Sequence, residues 1–144
     1  MTHHHLIMFV AGLGIPVLAA MNARLGGTLG APATATTIFF FIAMMSAFVV
    51  ALITGIGPVS KLADVPKYTF LGGVLIACYL LSITWIAPII GLGNAVFLVL
   101  IGQLCAAAAI DQFGLFGAIQ RDVTLTRAGG LALMAIGVFL AQRG

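Results

Sequence analysis

The fold class this sequence predicts is an all-α integral membrane protein, and three observations predict it. Only 6% of the 144 residues are charged, 62% are hydrophobic and the mean hydropathy is +1.25. A water-soluble domain needs roughly a quarter charged residues to cover its surface, so lipid is the solvent for most of this chain. The apolar residues also fall into five runs of about 17 to 25 residues, enough for a helix to cross a hydrocarbon core of about 30 Å. Short Gly, Pro or charged punctuation separates the runs, which places five transmembrane helices at about 5–25, 33–54, 69–90, 92–114 and 127–142. No linker, composition shift or internal repeat divides them, so residues 1–144 read as a single transmembrane domain.

The first run carries Gly12, Pro16, Ala19 and Ala23 on one face, a small-residue stripe where another helix can approach. Pro16 removes a backbone hydrogen bond in mid-span and predicts a kink. Asn22 is a polar contact near the end of this run, and Arg24 reads as a headgroup anchor. No cleavable leader is convincing, because no Lys or Arg precedes the run and no small-x-small site follows Leu18. His3, His4 and His5 are adjacent and cannot all face one ion on a helix, so they read as a tail and no metal is expected.

The second run offers Phe39, Phe40, Phe41 and Phe48 to lipid and Ala43 and Ala47 to a packing partner. The loop with Lys61, Asp64 and Lys67 is the clearest water-exposed stretch. In the third run Gly73, Ala77, Thr84 and Ala87 share a face, and Trp85 suits an interface. Tyr79 is too deep for that and serves either packing or a ligand contact.

The fourth run, Gly91 to Gly117, is the organising stretch. Gly91, Ala95, Gly102, Ala106 and Ala109 form a smooth stripe, and Gln103 projects from its edge. An unpartnered amide in hydrocarbon costs several kcal/mol, so another helix or a substrate has to meet Gln103. Asp111 lies about 12 Å further along the axis, near the edge of the core, where a carboxylate is tolerated. It suits a structural or interfacial role; in a functional one it pairs with Arg121, Arg127 or a cationic substrate at one mouth of a pathway. The fifth run places Gly130, Gly137 and Ala141 on one face, a helix pairing surface.

Cys78 and Cys105 both lie in apolar runs and read as small core residues, without a disulfide. The net charge of +3 comes from cations scattered between apolar runs, which argues against nucleic acid and for a role in orienting the chain. Lys61, Lys67, Arg121 and Arg127 fall on the side of the amino terminus, and Arg24 and Arg143 on the other. This weak bias places the amino terminus in the cytoplasm, and a chain so nearly balanced can insert both ways. An odd helix count leaves the two termini on opposite sides.

The pattern Pro16 with Asn22-Ala23-x-Leu25-Gly26, Ala87-Pro88 with Gly91, Gly102-Gln103-Leu104, Ile110-Asp111-x-Phe113-Gly114, and Arg127 with Gly129-Gly130 resembles the YdcZ-type inner-membrane exporters. That family is a half-sized branch of the drug/metabolite transporter superfamily. The resemblance implies a multi-pass protein of the bacterial inner membrane whose five-helix units pair, often in opposite orientations, into a ten-helix transporter. Gly130 and Gly137 are also similar to the dimerising helix of small multidrug resistance proteins. Those proteins use a membrane-embedded glutamate, and this chain contains no glutamate, so their proton coupling does not carry over.

The leading functional expectation is an exporter subunit for a small molecule. It works by alternating access as an antiparallel homodimer or beside a related chain of opposite orientation. Gln103, Tyr79, Asn22 and Asp111 are its candidate substrate contacts, and no cofactor is expected. The alternative is a non-transporting scaffold or accessory subunit of a partner protein. An enzyme is not expected, because the histidines sit in the tail and the carboxylates lie apart from one another.

Overall fold

The computed structural model describes residues 2–143. It contains five α-helices: α1 (Thr2–Leu29), α2 (Pro32–Thr54), α3 (Leu71–Ile90), α4 (Leu92–Phe113) and α5 (Leu125–Ala141). Short 3-10 turns occupy Val59–Asp64, Lys67–Phe70 and Leu115–Gly117. Four stretches, His3–Leu29, Pro32–Thr54, Lys67–Ile90 and Leu92–Phe113, are long and apolar enough to cross a membrane. The fifth, α5, is apolar but has only 17 residues, about 26 Å of helix against a core of about 30 Å. The first helix starts earlier and ends later than the apolar run alone predicts, taking in His3 to His5, and it runs unbroken through Pro16.

The chain forms two compact units, one ending at Ile89 and the other starting at Ile90. The first is organised by the turn between α1 and α2. Gly30 adopts φ 61°, its N–H donates to the carbonyl of Gly27 (3.3 Å), and the N–H of Ala31 donates to that of Gly26 (3.2 Å). This paired closure satisfies the last carbonyls of α1, and a left-handed glycine makes it possible. Pro32 then opens α2 at a position where its missing N–H costs nothing. The two-residue link folds α2 back on α1 as a helix hairpin.

The packed face of α1 is Ala19, Asn22 and Gly26, at spacings of three and four. Against it lie Ala35 and Thr36 of α2 and Thr84 of α3, and Leu80, Ile83 and Ala87 of α3 are also buried. A Cβ on Gly26 would stand 2.9 Å from the Thr84 methyl, 3.4 Å from the Pro32 backbone and 3.7 Å from the Ala35 side chain. Glycine is therefore required there by close approach. The expected packing stripes hold only in part. Gly12 and Gly73 have open space around them, and α2 is buried at Ala35 and Thr36, whereas Ala43 and Ala47 are exposed. The hairpin is closed at its turn, so close contact concentrates there. Cys78 and Cys105 are free, as expected, but both are exposed and neither is a core residue.

In the second unit α4 ends at Gly114, whose left-handed conformation (φ 59°) lets its N–H return to the Ile110 carbonyl. A crevice of about 30 Å³ lies between Ile101, Leu104 and Cys105 of α4 and Leu131 and Ala135 of α5. It is apolar and has room for no more than a water-sized molecule.

Gly26→Ala is expected to destabilise the detergent-solubilised protein by about 1–3 kcal/mol through overpacking. The adjacent Gly27→Ala, where a Cβ meets nothing within 4 Å, is expected to be neutral or stabilising by up to about 1 kcal/mol. Thermal unfolding of the two variants side by side checks this, and equal effects would show that Gly26 is not under steric constraint.

Candidate functional site

Two hydroxyls of the first unit converge on Asn22. This side chain is fully buried, and its amide nitrogen donates to the Thr84 hydroxyl at 2.5 Å and to the Thr36 hydroxyl at 3.1 Å. One amide therefore ties α1 to both α2 and α3. Thr84 passes its own hydroxyl proton to the Leu80 carbonyl at 2.6 Å. The Asn22 carbonyl oxygen has no hydrogen-bond partner among the described residues, and an unmet acceptor buried in an apolar surrounding is costly. Tyr79, half-buried on α3, is similar in this respect: its hydroxyl oxygen is enclosed and has no partner among the described residues. It takes no part in the Asn22 cluster.

The candidates of the second unit lie on α4. Gln103 is exposed, as are its neighbours Gly102, Ala106 and Ala109, and no hydrogen bond reaches it among the described residues. Two turns further on, Asp111 accepts from the Arg127 guanidinium at 2.6 Å, and the two side chains are about one-third exposed. The carboxylate is thus neutralised from within its own unit. The Asp111 carbonyl also accepts from the Arg121 N–H at 2.8 Å. Gln112 receives the Val123 N–H on its side-chain oxygen at 2.5 Å, and its carbonyl accepts from the Gln120 amide at 3.2 Å. Thr124 caps α5 by accepting from the Arg127 N–H at 3.2 Å. Asp111 and Gln112 therefore anchor the connection to α5 as well as meeting a cation.

Among the described residues no group of three or more His, Cys, Asp or Glu side chains gathers to hold a metal ion. Thr36 and Gln112 are the site residues that reading the sequence passes over, and Gly26 enters it only within the family pattern, without its steric constraint. Their signal is positional: Thr36 and Gly26 flank the turn that brings Asn22 to its partners, and Gln112 follows the one carboxylate of an apolar run.

A double-mutant cycle on Asp111→Asn and Arg127→Gln is expected to give a coupling energy of about 1 kcal/mol, within the range for contacting charged pairs. Unfolding measurements on the two single variants and the double variant supply the value. Additive effects would mean that the ion pair contributes nothing to the link between α4 and α5.

Comparisons with curated proteins and with solved structures found no match. A comparison with family models matched residues 4–140, nearly the whole chain and including every residue of both polar clusters. The chain belongs to the family described as "Putative inner membrane exporter, YdcZ".

Proposed function

We propose that this chain is one half of a small-molecule exporter, a five-helix unit that pairs with a second copy of opposite orientation and works by alternating access. Gln103 carries the reading. An amide midway along a 22-residue apolar helix, exposed and unmet among the described residues, calls for a partner such as a second copy or a solute. It stands beside Gly102, Ala106 and Ala109, whose small size lets a second backbone come close. Membership of the exporter family supports transport across an inner membrane. The near balance of cations supports insertion in both orientations. The exposed Gly137 of α5, with nothing within 4 Å of a Cβ built on it, supports helix pairing there as well.

In this reading Gln103 is the polar contact of the transported molecule. Asp111, held by Arg127, guards one mouth. Although short, α5 completes the fifth crossing by local thinning of the bilayer and by snorkelling of Arg127 and Arg143 at its ends.

Two measurements test this. With Cys78 and Cys105 replaced by Ala and one cysteine added after Gly144, sealed right-side-out vesicles are labelled with an impermeant thiol reagent before and after lysis. About half of the carboxyl termini are expected to be protected; full or zero protection would exclude an inverted homodimer and favour an oppositely oriented partner chain or a scaffold subunit. Separately, Gln103→Leu is expected to lower efflux at least about tenfold, the equivalent of one lost hydrogen bond of about 1.4 kcal/mol, in a screen of compounds the unsubstituted protein exports. Expression and dimerisation should not change. Undiminished efflux would remove Gln103 from the pathway.

A further inference from the structure

Helix α3 is built unevenly along its length. Its second half is anchored, with Leu80, Ile83, Thr84 and Ala87 between 2% and 6% exposed and Thr84 held by Asn22. The first part is not: every residue from Leu71 through Ile76 is exposed, as is every residue of the preceding connection from Gly55 to Phe70. That connection is two 3-10 turns between glycines and prolines. Two features coincide within the anchored half. The Thr84 hydroxyl donates to the Leu80 carbonyl at 2.6 Å, competing with the helical N–H for the same acceptor. Four residues later Pro88 has no N–H to give to the Thr84 carbonyl. Two successive rungs on one side of the helix, Leu80 to Thr84 and Thr84 to Pro88, are therefore weakened, and helices bend where such rungs fail.

We propose that α3 is a jointed helix, with Leu80–Pro88 as the joint, Asn22 as the pin that fixes it to α1, and Leu71–Tyr79 as a half-helix that swings. Gly26 makes the pin rigid, because the Thr84 methyl already fills the space where a Cβ would stand. The enclosed, unmet Tyr79 hydroxyl sits at the base of the moving half, where a change of angle changes what it meets. A swing of about 20° about Thr84 moves Leu71, about 20 Å away along the axis, by about 7 Å. The joint belongs to the first unit alone; its service as a gate rests on the exporter reading, and the distances below test the joint whatever the transport assays give.

The test is a pair of spin-label distances in lipid, on protein with Cys78→Ala and Cys105→Ala, diluted with unlabelled protein so that only distances within one copy are read. One pair joins Val49→Cys on α2 to Leu71→Cys on the moving half; the other joins Val49→Cys to Ile89→Cys beyond the joint. All three positions are exposed. The Leu71 distribution is expected to be broader than the Ile89 distribution by about 7 Å, and Pro88→Ala is expected to narrow it to the Ile89 width by restoring the missing N–H. A Leu71 distribution as narrow as that of Ile89 in the chain with Pro88 intact would overturn the joint, and that comparison needs no change at the joint itself. Equal breadth with and without Pro88 would overturn it too, since the spread would then come from fraying at Leu71.

Discussion

Between helices in lipid there is no hydrophobic drive to association, because lipid tails are as apolar as the side chains. What remains is close packing and the need of every polar group for a partner. In the first unit both demands bear on Asn22, whose amide protons are met although its carbonyl oxygen is not. Its two amide protons go to hydroxyls on two other helices, so the position of α1 fixes those of α2 and α3 together. The buried apolar residues of this unit are small or branched, Ala19, Ala35, Ala87, Leu80 and Ile83. Such residues bring backbones near enough for a short amide to span three helices, and Gly26 is the position where that nearness leaves no room for a methyl.

The second unit is held together differently. It has no buried amide at its centre; its polar contacts gather at the end of α4, where a carboxylate costs less than at mid-membrane. Asp111 meets Arg127, Gln112 holds the returning chain, and Gly114 turns it. Because the charge is satisfied at that end, the middle of α4 remains a plain apolar helix bearing one unmet amide, Gln103. The two polar clusters thus do different work: one locks three helices, and the other secures a connection while leaving a face of α4 uncommitted.

That division bears on how a small chain in this exporter family could move a solute. Rigid contact is concentrated near the α1–α2 turn and the second half of α3, while the first part of α3 and the mid-section of α4 are exposed. A protein that changes shape needs both kinds of region, a fixed reference and surfaces whose contacts are not satisfied within one chain. Among the described residues the Asn22 carbonyl oxygen, the Tyr79 hydroxyl and the Gln142 side-chain nitrogen are enclosed without partners and the Gln103 amide is exposed and unmet, and such atoms change partners most readily between states.

By itself the sequence determined the solvent and the class. Composition forbids a water-facing surface, and run lengths with Gly and Pro punctuation mark the helices to within a few residues, since span length and backbone hydrogen bonding are local constraints. It also singled out Asn22, Gln103, Tyr79 and Asp111, because polar groups in apolar runs are few, and it named Arg127 among the possible partners of Asp111. Only the tertiary structure decided the partners. Thr36 lies 14 residues from Asn22 and Thr84 lies 62, and periodicity along one helix carries no information about which turn of another it faces. For the same reason the stripe Gly12, Pro16, Ala19 and Ala23 on α1 and the pair Ala43 and Ala47 on α2 carried no sign of where along each helix contact would gather. Contact gathers at Ala19, Asn22 and Gly26, because the two-residue turn at Gly30 and Ala31 brings the helices closest at that end.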